Sequence, residues 1–272
     1  MLIDVHGHPA YAYTGGRPFD PTLPCLVFVH GALNDHSVWT LAARWFAHHG
    51  WSVLAVDQPG HCRSRGPVKA SVGEIADWTL ALLDAVGAPR AAFVGHSMGS
   101  LIALECAARA PQRASHLVMV GTAYPMKVSP ALLETSLNEP LKALTMINVF
   151  SRSTLAAPPS ALGPGTWVFG SSMALGKRVL ASNPATNLFH RGFKACDSYA
   201  GGEAAMAAVR CPVLFLLGDV DQMTSPKAVQ PLLQGARATG QRVEVVQVPV
   251  GHHQMTEAPE ATLFAIRDFI AR

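Results

Sequence analysis

At 272 residues, with 49% hydrophobic and 14% charged side chains, the chain can bury one large core, which excludes a disordered or fibrous protein. A formal net charge of +3 without any basic cluster argues against a nucleic-acid-binding surface. No uninterrupted apolar stretch is long enough to cross a bilayer, so no membrane association is expected.

The opening M-L-I-D-V-H-G-H lacks a basic start followed by an apolar run, so no signal peptide is expected. Residues 2–5 and 9–13 read as two short strands joined by a glycine-containing turn. C-L-V-F-V at 25–29 is continuously apolar, as a strand covered on both faces must be, and ends in His30-Gly31-Ala32. A helix follows over 37–49, opened by Ser37 as cap and stopped by Gly50. A second buried strand, 51–56, runs into Asp57-Gln58-Pro59-Gly60, and a helix over 71–86 ends at Gly87. Next come the short apolar run A-A-F-V-G, a helix over 101–110 and a strand over 116–120. Buried strands alternating with helices predict a mostly parallel sheet covered on both faces.

That rhythm breaks at Gly121. Between 124 and about 208 there is no buried strand run, only helix-like pieces separated by prolines and glycines such as Ala156-Ala157-Pro158-Pro159. The alternation resumes with a strand over 212–217, a helix from about 225, a strand over 242–248 and a last helix over 259–270. Residues 1–123 and 209–272 are therefore expected to form one core domain, with 124–208 as a helical insertion folded over it. The five cysteines (Cys25, Cys62, Cys106, Cys196 and Cys211) are scattered and odd in number, which fits reduced thiols in a cytoplasm. None has zinc-type spacing, so the twelve histidines carry no metal signal.

The chemistry concentrates at Gly-His-Ser-Met-Gly, residues 95–99, where strand turns sharply into helix with Ser97 at the apex. Such a turn strains the serine backbone and lifts its hydroxyl clear of the sheet edge. Gly95 and Gly99 answer a steric need, because a Cβ at either place would collide across the turn. The backbone N–H of Met98 lies at a helix start, where an oxyanion can be held. A serine needs a base, and in a parallel sheet its partners come from loops after other strands. G-D-V-D offers Asp219 and Asp221 after one later strand, and G-H-H offers His252 and His253 after the last.

Five segments in this order make the chain resemble the α/β-hydrolase superfamily along essentially its whole length: H-G-A, D-Q-P-G-H-C-R-S, G-H-S-M-G, G-D-V-D and G-H-H. The resemblance implies an eight-stranded, mostly parallel sheet with helices on both faces and a helical cap. It implies Ser97 as nucleophile, Asp221 as acid in preference to the turn-forming Asp219, and His252 as base in preference to its neighbour His253. Ala32 takes the position whose N–H joins that of Met98 in the oxyanion hole. Two positions depart from the pattern: Cys62 and Ser100 stand where glycine is usual, and the first implies a slightly different loop. A serine at the elbow excludes the members that use a carboxylate nucleophile.

The expected function is hydrolysis of small or medium carboxylic esters with an apolar acyl or aryl portion, through an acyl-enzyme and without a cofactor or metal. Cleavage of a carbon–carbon bond in dienoic ring-fission products and perhydrolysis are the alternatives within the superfamily. A ligand receptor of the same fold is the alternative outside catalysis. His36, Tyr124, Trp167, Phe169, Met173 and His253 are expected to line the substrate pocket, with the insertion's aromatic and methionine side chains facing the strand ends. The expected partner is a small-molecule ester, and the expected assembly a monomer or homodimer.

Overall fold

A computed structural model describes residues 1–152 and 167–272. The Ala156-Ala157-Pro158-Pro159 break lies outside the described residues. Eight strands form one sheet: β1 (Leu2–Val5), β2 (His8–Tyr13), β3 (Cys25–Val29), β4 (Ser52–Val56), β5 (Ala91–His96), β6 (Ala114–Val120), β7 (Val213–Gly218) and β8 (Val243–Val248). Their order is β1-β2-β4-β3-β5-β6-β7-β8. The β1–β2 and β2–β4 pairs are antiparallel and every later pair is parallel. The C-terminal ends of β3 to β8 therefore open on one edge.

Strands β3, β4, β5 and β7 are buried at every position, which explains why they are apolar apart from the terminal Ser52 and His96. The two-residue period then divides each strand between two cores. Val27, Val29 and Phe93 pack on one face with α2 (Val72–Ala85) and α3 (Met98–Arg109). Leu26, Phe28, Ala92 and Val94 pack on the other with α1 (Thr40–Ala47) and the C-terminal helix over Pro259–Ile270. Fully burying a phenylalanine or leucine side chain contributes about 1.5–3 kcal/mol, so these two layers dominate the fold's stability.

Helix starts differ from the sequence reading in three places; at the last, the helix read from about 225 is a short tight turn, Pro226–Val229, before the helix over Gln230–Ala238. The segment read as one helix over 37–49 is a short tight turn, His36–Trp39, followed by α1. Its cap is Asp35, whose carboxylate accepts from Ser37 N–H at 2.9 Å. Helix α3 begins at Met98, three residues before the predicted start, because the turn at Ser97 leads straight into helical backbone. Ser71 caps α2 in a reciprocal arrangement with Glu74.

Between β6 and β7 the described residues form five helices: α4 (Pro130–Asn138), α5 (Pro140–Phe150), α6 (Val168–Ser182), α7 (Leu188–Ser198) and α8 (Gly202–Ala208). Ala143, Leu144, Val179, Leu188, Phe189 and Phe193 make a third apolar cluster, which closes on Leu33 from the loop after β3. At Gly192 a Cβ would stand 3.0 Å from Ala32 Cβ, a tight contact, so glycine lets α7 come this close without displacing the loop after β3. Polar ties from α6 add to this seat: Arg178 pairs with Asp35 at 2.7 Å, and Ser182 Oγ accepts from Cys62 N–H at 3.0 Å. Three elements complete the chain: α9 (Gln230–Ala238), α10 (Gln254–Glu257) and α11 (Pro259–Ile270). Among the described residues no helix is long and apolar enough to cross a membrane.

Candidate active site

Ser97 follows β5 directly and has φ 54° and ψ −123°, a left-handed conformation that costs an L-residue energy and persists only where the surroundings impose it. The surroundings here are backbone. A Cβ on Gly95 would stand 1.9 Å from the carbonyl oxygen of Gly99, and one on Gly99 would stand 2.3 Å from that of Val29. Ser100, where a glycine is usual, fixes the turn with its hydroxyl, which donates to Ser97 O at 2.6 Å and lies 2.7 Å from Thr122 Oγ1.

The histidine and carboxylate come from the ends of β8 and β7. His252 Nδ1 lies 2.8 Å from Asp221 Oδ2, and Asp219 is exposed beside the pair. Asp221 Oδ1 accepts the N–H groups of Met223 and Thr224 at 2.8 Å each, while Thr224 Oγ1 donates to Oδ2 at 2.6 Å. Burial by itself would raise the Asp221 carboxyl. His252 and these donors outweigh it and hold the group below the usual carboxylate range, so it is ionised at neutral pH. An ionised Asp221 fixes the His252 proton on Nδ1 and leaves Nε2 as acceptor. His252 is also held through its backbone: its N–H donates to Ser151 O at 2.7 Å, and its carbonyl accepts from His96 Nε2 at 2.7 Å. Burial pushes His96 down to about 3, so this second ring is a neutral prop.

One cavity, about 80 Å³, is lined by both Ser97 and His252. Ala32 lines it too, and Met98 supplies the first N–H of α3. The loop bearing Ala32 rests on the elbow: a Cβ on Gly31 would stand 3.1 Å from Ser97 Cβ. Gln58, from the D-Q-P-G segment, ties that loop down, its Nε2 donating to His30 O at 2.7 Å. His253 lines the cavity as expected from the sequence; burial and then the Arg152 charge hold it well below the usual histidine range, so it is neutral.

The remaining expected lining residues are elsewhere. His36 Nδ1 lies 2.7 Å from Asp57 Oδ1, which turns its ring into a second, open cleft with Asp35, Cys62 and Arg178. Tyr124 donates its hydroxyl to Ala200 O at 2.6 Å and packs under Gly202. Trp167 is 68% exposed and stacks on Phe169 at 5.9 Å, since the apolar stripe of α6 turns its other side inward. Met173 packs against the insertion's own cluster. From the insertion, the apolar lining is Leu144, Ile147, Leu175 and one aromatic, Phe193.

Asp35, His36 and Asp57 are the described group with ligand-like spacing, their donor atoms within 4.8 Å of one another. Those atoms are already engaged, Asp57 by His36 and Asp35 by Ser37 and Arg178, so a cation would have to displace existing bonds. Cys62 has φ 45°, so the loop keeps the left-handed shape that glycine allows, and the cysteine bears the strain. Its thiol is pushed up to about 12 by burial and by Asp35, which keeps it unreactive.

A sequence profile of the alpha/beta hydrolase fold family matches residues 24–259. The chain belongs to that family. The fold expected from the sequence is thereby borne out, and an enzyme of the hydrolase class is supported. The chain is similar to the dihydrolipoyllysine-residue acetyltransferase component of the acetoin cleaving system of Pseudomonas putida, 35% identical over 114 residues, which cover 40% of this chain and 28% of that protein. It is also similar to the (E)-2-((N-methylformamido)methylene)succinate hydrolase of Acinetobacter baylyi, 26% identical over 100 residues, or 36% of this chain and 38% of that one. The chain thus spans well under half the length of these two relatives. Among solved structures, the enol-lactonase of Burkholderia xenovorans superposes with a TM-score of 0.82 at 20% identity, covering 100% of each chain.

The alpha/beta hydrolase core leaves one part of the cavity wall that sequence reasoning missed. Asn148, near the end of α5, and Arg152, just beyond it, are 3% and 8% exposed and line the cavity. The signal was present in L-K-A-L-T-M-I-N-V-F-S-R: Leu144, Asn148 and Arg152 follow at spacings of four, so two polar residues share the stripe of a buried leucine. Thr224, whose hydroxyl reaches both Asp221 and His252, was missed as well.

Proposed function

We propose that the protein is a serine hydrolase of small or medium carboxylic esters. The observation that carries this reading is the Asp221–His252 pair at 2.8 Å in a cavity wall that also contains Ser97 on its strained elbow. In the proposed reaction Ser97 Oγ attacks the ester carbonyl while His252 Nε2 takes its proton, and Asp221 stabilises the imidazolium that forms. The amides of Ala32 and Met98 receive the oxyanion, a contribution of roughly 3–4 kcal/mol per donor in the transition state. His252 returns the proton to the leaving alcohol, and water, activated by the same ring, releases the acid. Leu144, Ile147, Leu175 and Phe193 favour an acyl group with apolar surface, and the cavity's modest size favours a short one.

The test is a series of 4-nitrophenyl esters of increasing acyl length, run beside a dienoic ring-fission diketo acid. The reading expects ester turnover with an optimum at short acyl length and no cleavage of the diketo acid. Cleavage of the diketo acid with ester rates no faster than buffer would replace it by carbon–carbon hydrolysis. Absence of both would turn the chain into a receptor.

A further inference from the structure

A guanidinium is a permanent charge with five N–H donors, and burying it without partners is among the more expensive things a fold can do. Arg152 is buried here, yet among the described residues its Nε and Nη1 have no hydrogen-bond partner. Only Nη2 is engaged, donating to Ser172 Oγ on α6. Asn148, four residues earlier, is also buried, and its Nδ2 has no partner either. Three donor atoms without a partner among the described residues therefore belong to two side chains that line the cavity shared with Ser97 and His252. Other unpartnered buried groups exist, among them His96 Nδ1 and both side-chain atoms of Gln254, but those side chains are neutral.

The Arg152 side chain is held in place. Ser151, the preceding residue, accepts the His252 N–H at 2.7 Å, which ties this stretch of chain to the catalytic loop. Glu257 lends electrostatic support while its own oxygens accept the N–H groups of Gly251 at 3.3 Å and His253 at 3.2 Å. The lining mixes Leu144, Ile147 and Leu175 with the polar Ser172, His253 and Thr256, and its small volume leaves little room for water between an anion and the guanidinium. Nε and Nη1 lie on opposite sides of the planar guanidinium, so each can give its own charge-assisted N–H bond, and a carboxylate oxygen is the acceptor that gains most from such a donor.

We propose that Arg152, with Asn148, binds a carboxylate of the substrate, so that the esters this protein hydrolyses are half-esters or lactones of dicarboxylic acids. The inference rests on the ester-hydrolase reading for its chemistry, but the anion site is testable without turnover. Two measurements separate the two claims. The first compares kcat/KM for 4-nitrophenyl hydrogen succinate, glutarate and adipate with that for their methyl 4-nitrophenyl diesters, in the wild type, Arg152→Met, Arg152→Lys and Trp167→Ala. The second is calorimetric binding of monomethyl succinate, glutarate and adipate to Ser97→Ala and to Ser97→Ala carrying Arg152→Met.

The wild type should favour at least one anionic ester over its neutral partner by about ten- to hundredfold, the range expected for a hydrogen bond to a charged group. Arg152→Met should erase that ratio, Arg152→Lys should keep part of it, and Trp167→Ala should leave it alone. The matching monoester should bind Ser97→Ala about tenfold or more tightly than the double variant. Preference for the neutral ester at every length overturns the proposal. So does an equal loss of both substrates in Arg152→Met, or monoester binding indifferent to Arg152. If calorimetry finds Arg152-dependent binding while no ester is turned over, the anion site stands and the ester reading falls. If neutral esters are hydrolysed briskly and no Arg152-dependent preference exists, the ester reading stands and the anion site falls.

Discussion

The sheet edge and the helices above it reach the same cavity by different means. At the edge, backbone geometry does the positioning: Ser97 is held at φ 54° by glycines whose Cβ atoms would overlap neighbouring carbonyls. The acid there is saturated, with Asp221 accepting from two backbone amides, Thr224 and His252. On the insertion, side-chain packing does the positioning, as where Gly176 lets α6 close on Leu144 of α5. Three of its buried donor atoms, on Asn148 and Arg152, have no partner among the described residues. The edge is complete before substrate arrives, whereas the roof is built to be completed by it.

The largest expected effect lies at the edge. Asp221→Asn should lower kcat by about 10⁴-fold, as expected where the amide favours the wrong histidine tautomer, and steady-state ester hydrolysis measures it. Asp219→Asn, at an exposed position, should stay within threefold, a limit of roughly 0.6 kcal/mol. Equal damage from the two substitutions would break the claim that one carboxylate orients His252.

Next in size is Gly99→Ala. Its new Cβ would meet Val29 O at 2.3 Å and His30 O at 2.7 Å, both backbone atoms that cannot swing aside. A loss of at least about 2–3 kcal/mol is expected, read as a lowered urea midpoint. An unchanged midpoint would mean the elbow is looser than its geometry.

The contact between the two regions should contribute less. Asp35 has its carboxyl held at about 2: burial works against this, and Ser37 and Arg178 outweigh it. A depressed folded-state value stabilises the fold above the unfolded value, near 3.9, and that contribution is lost as pH falls through about 2. Arg178 is 57% exposed, so screening keeps its share to about 1 kcal/mol or less. The stability gap between wild type and Asp35→Asn should stay flat from about pH 8 to 5 and narrow only below about pH 4, followed by urea titration at each pH. A gap that grows on acidification would reverse the sign. Smallest of all is Trp167→Ala, 68% exposed, which should shift stability by less than about 0.5 kcal/mol. A larger shift would show that the insertion depends on a side chain that now looks outward.

The same contrast decides what was legible in the sequence. Buried parallel strands must be apolar throughout, so β3, β4, β5 and β7 were readable as runs, and the elbow glycines as steric necessities. Local rules bring the ends of β7 and β8 to one edge, which is why G-D-V-D and G-H-H were sought together. No local rule says which side of α6 faces inward. Trp167, Phe169 and Met173 were expected over the cavity on hydrophobicity alone, yet the stripe carrying Val179 and Gly176 is the one that packs against α5. Tyr124 was drawn away by a hydrogen bond to Ala200, and His36 by two to Asp57, none of which any sequence spacing announces. Asn148 and Arg152 were overlooked because polar residues within a helix or just past its end ordinarily face solvent.

The central claim is that Ser97 is the one nucleophile on this edge. The most direct measurement is covalent labelling with a fluorophosphonate, followed by peptide mass spectrometry on the wild type, Ser97→Ala and His252→Ala. A single stoichiometric adduct is expected on the peptide containing Ser97, absent in Ser97→Ala and much slower to form in His252→Ala. An adduct on another residue that abolishes ester turnover, or full labelling of Ser97→Ala, would contradict it.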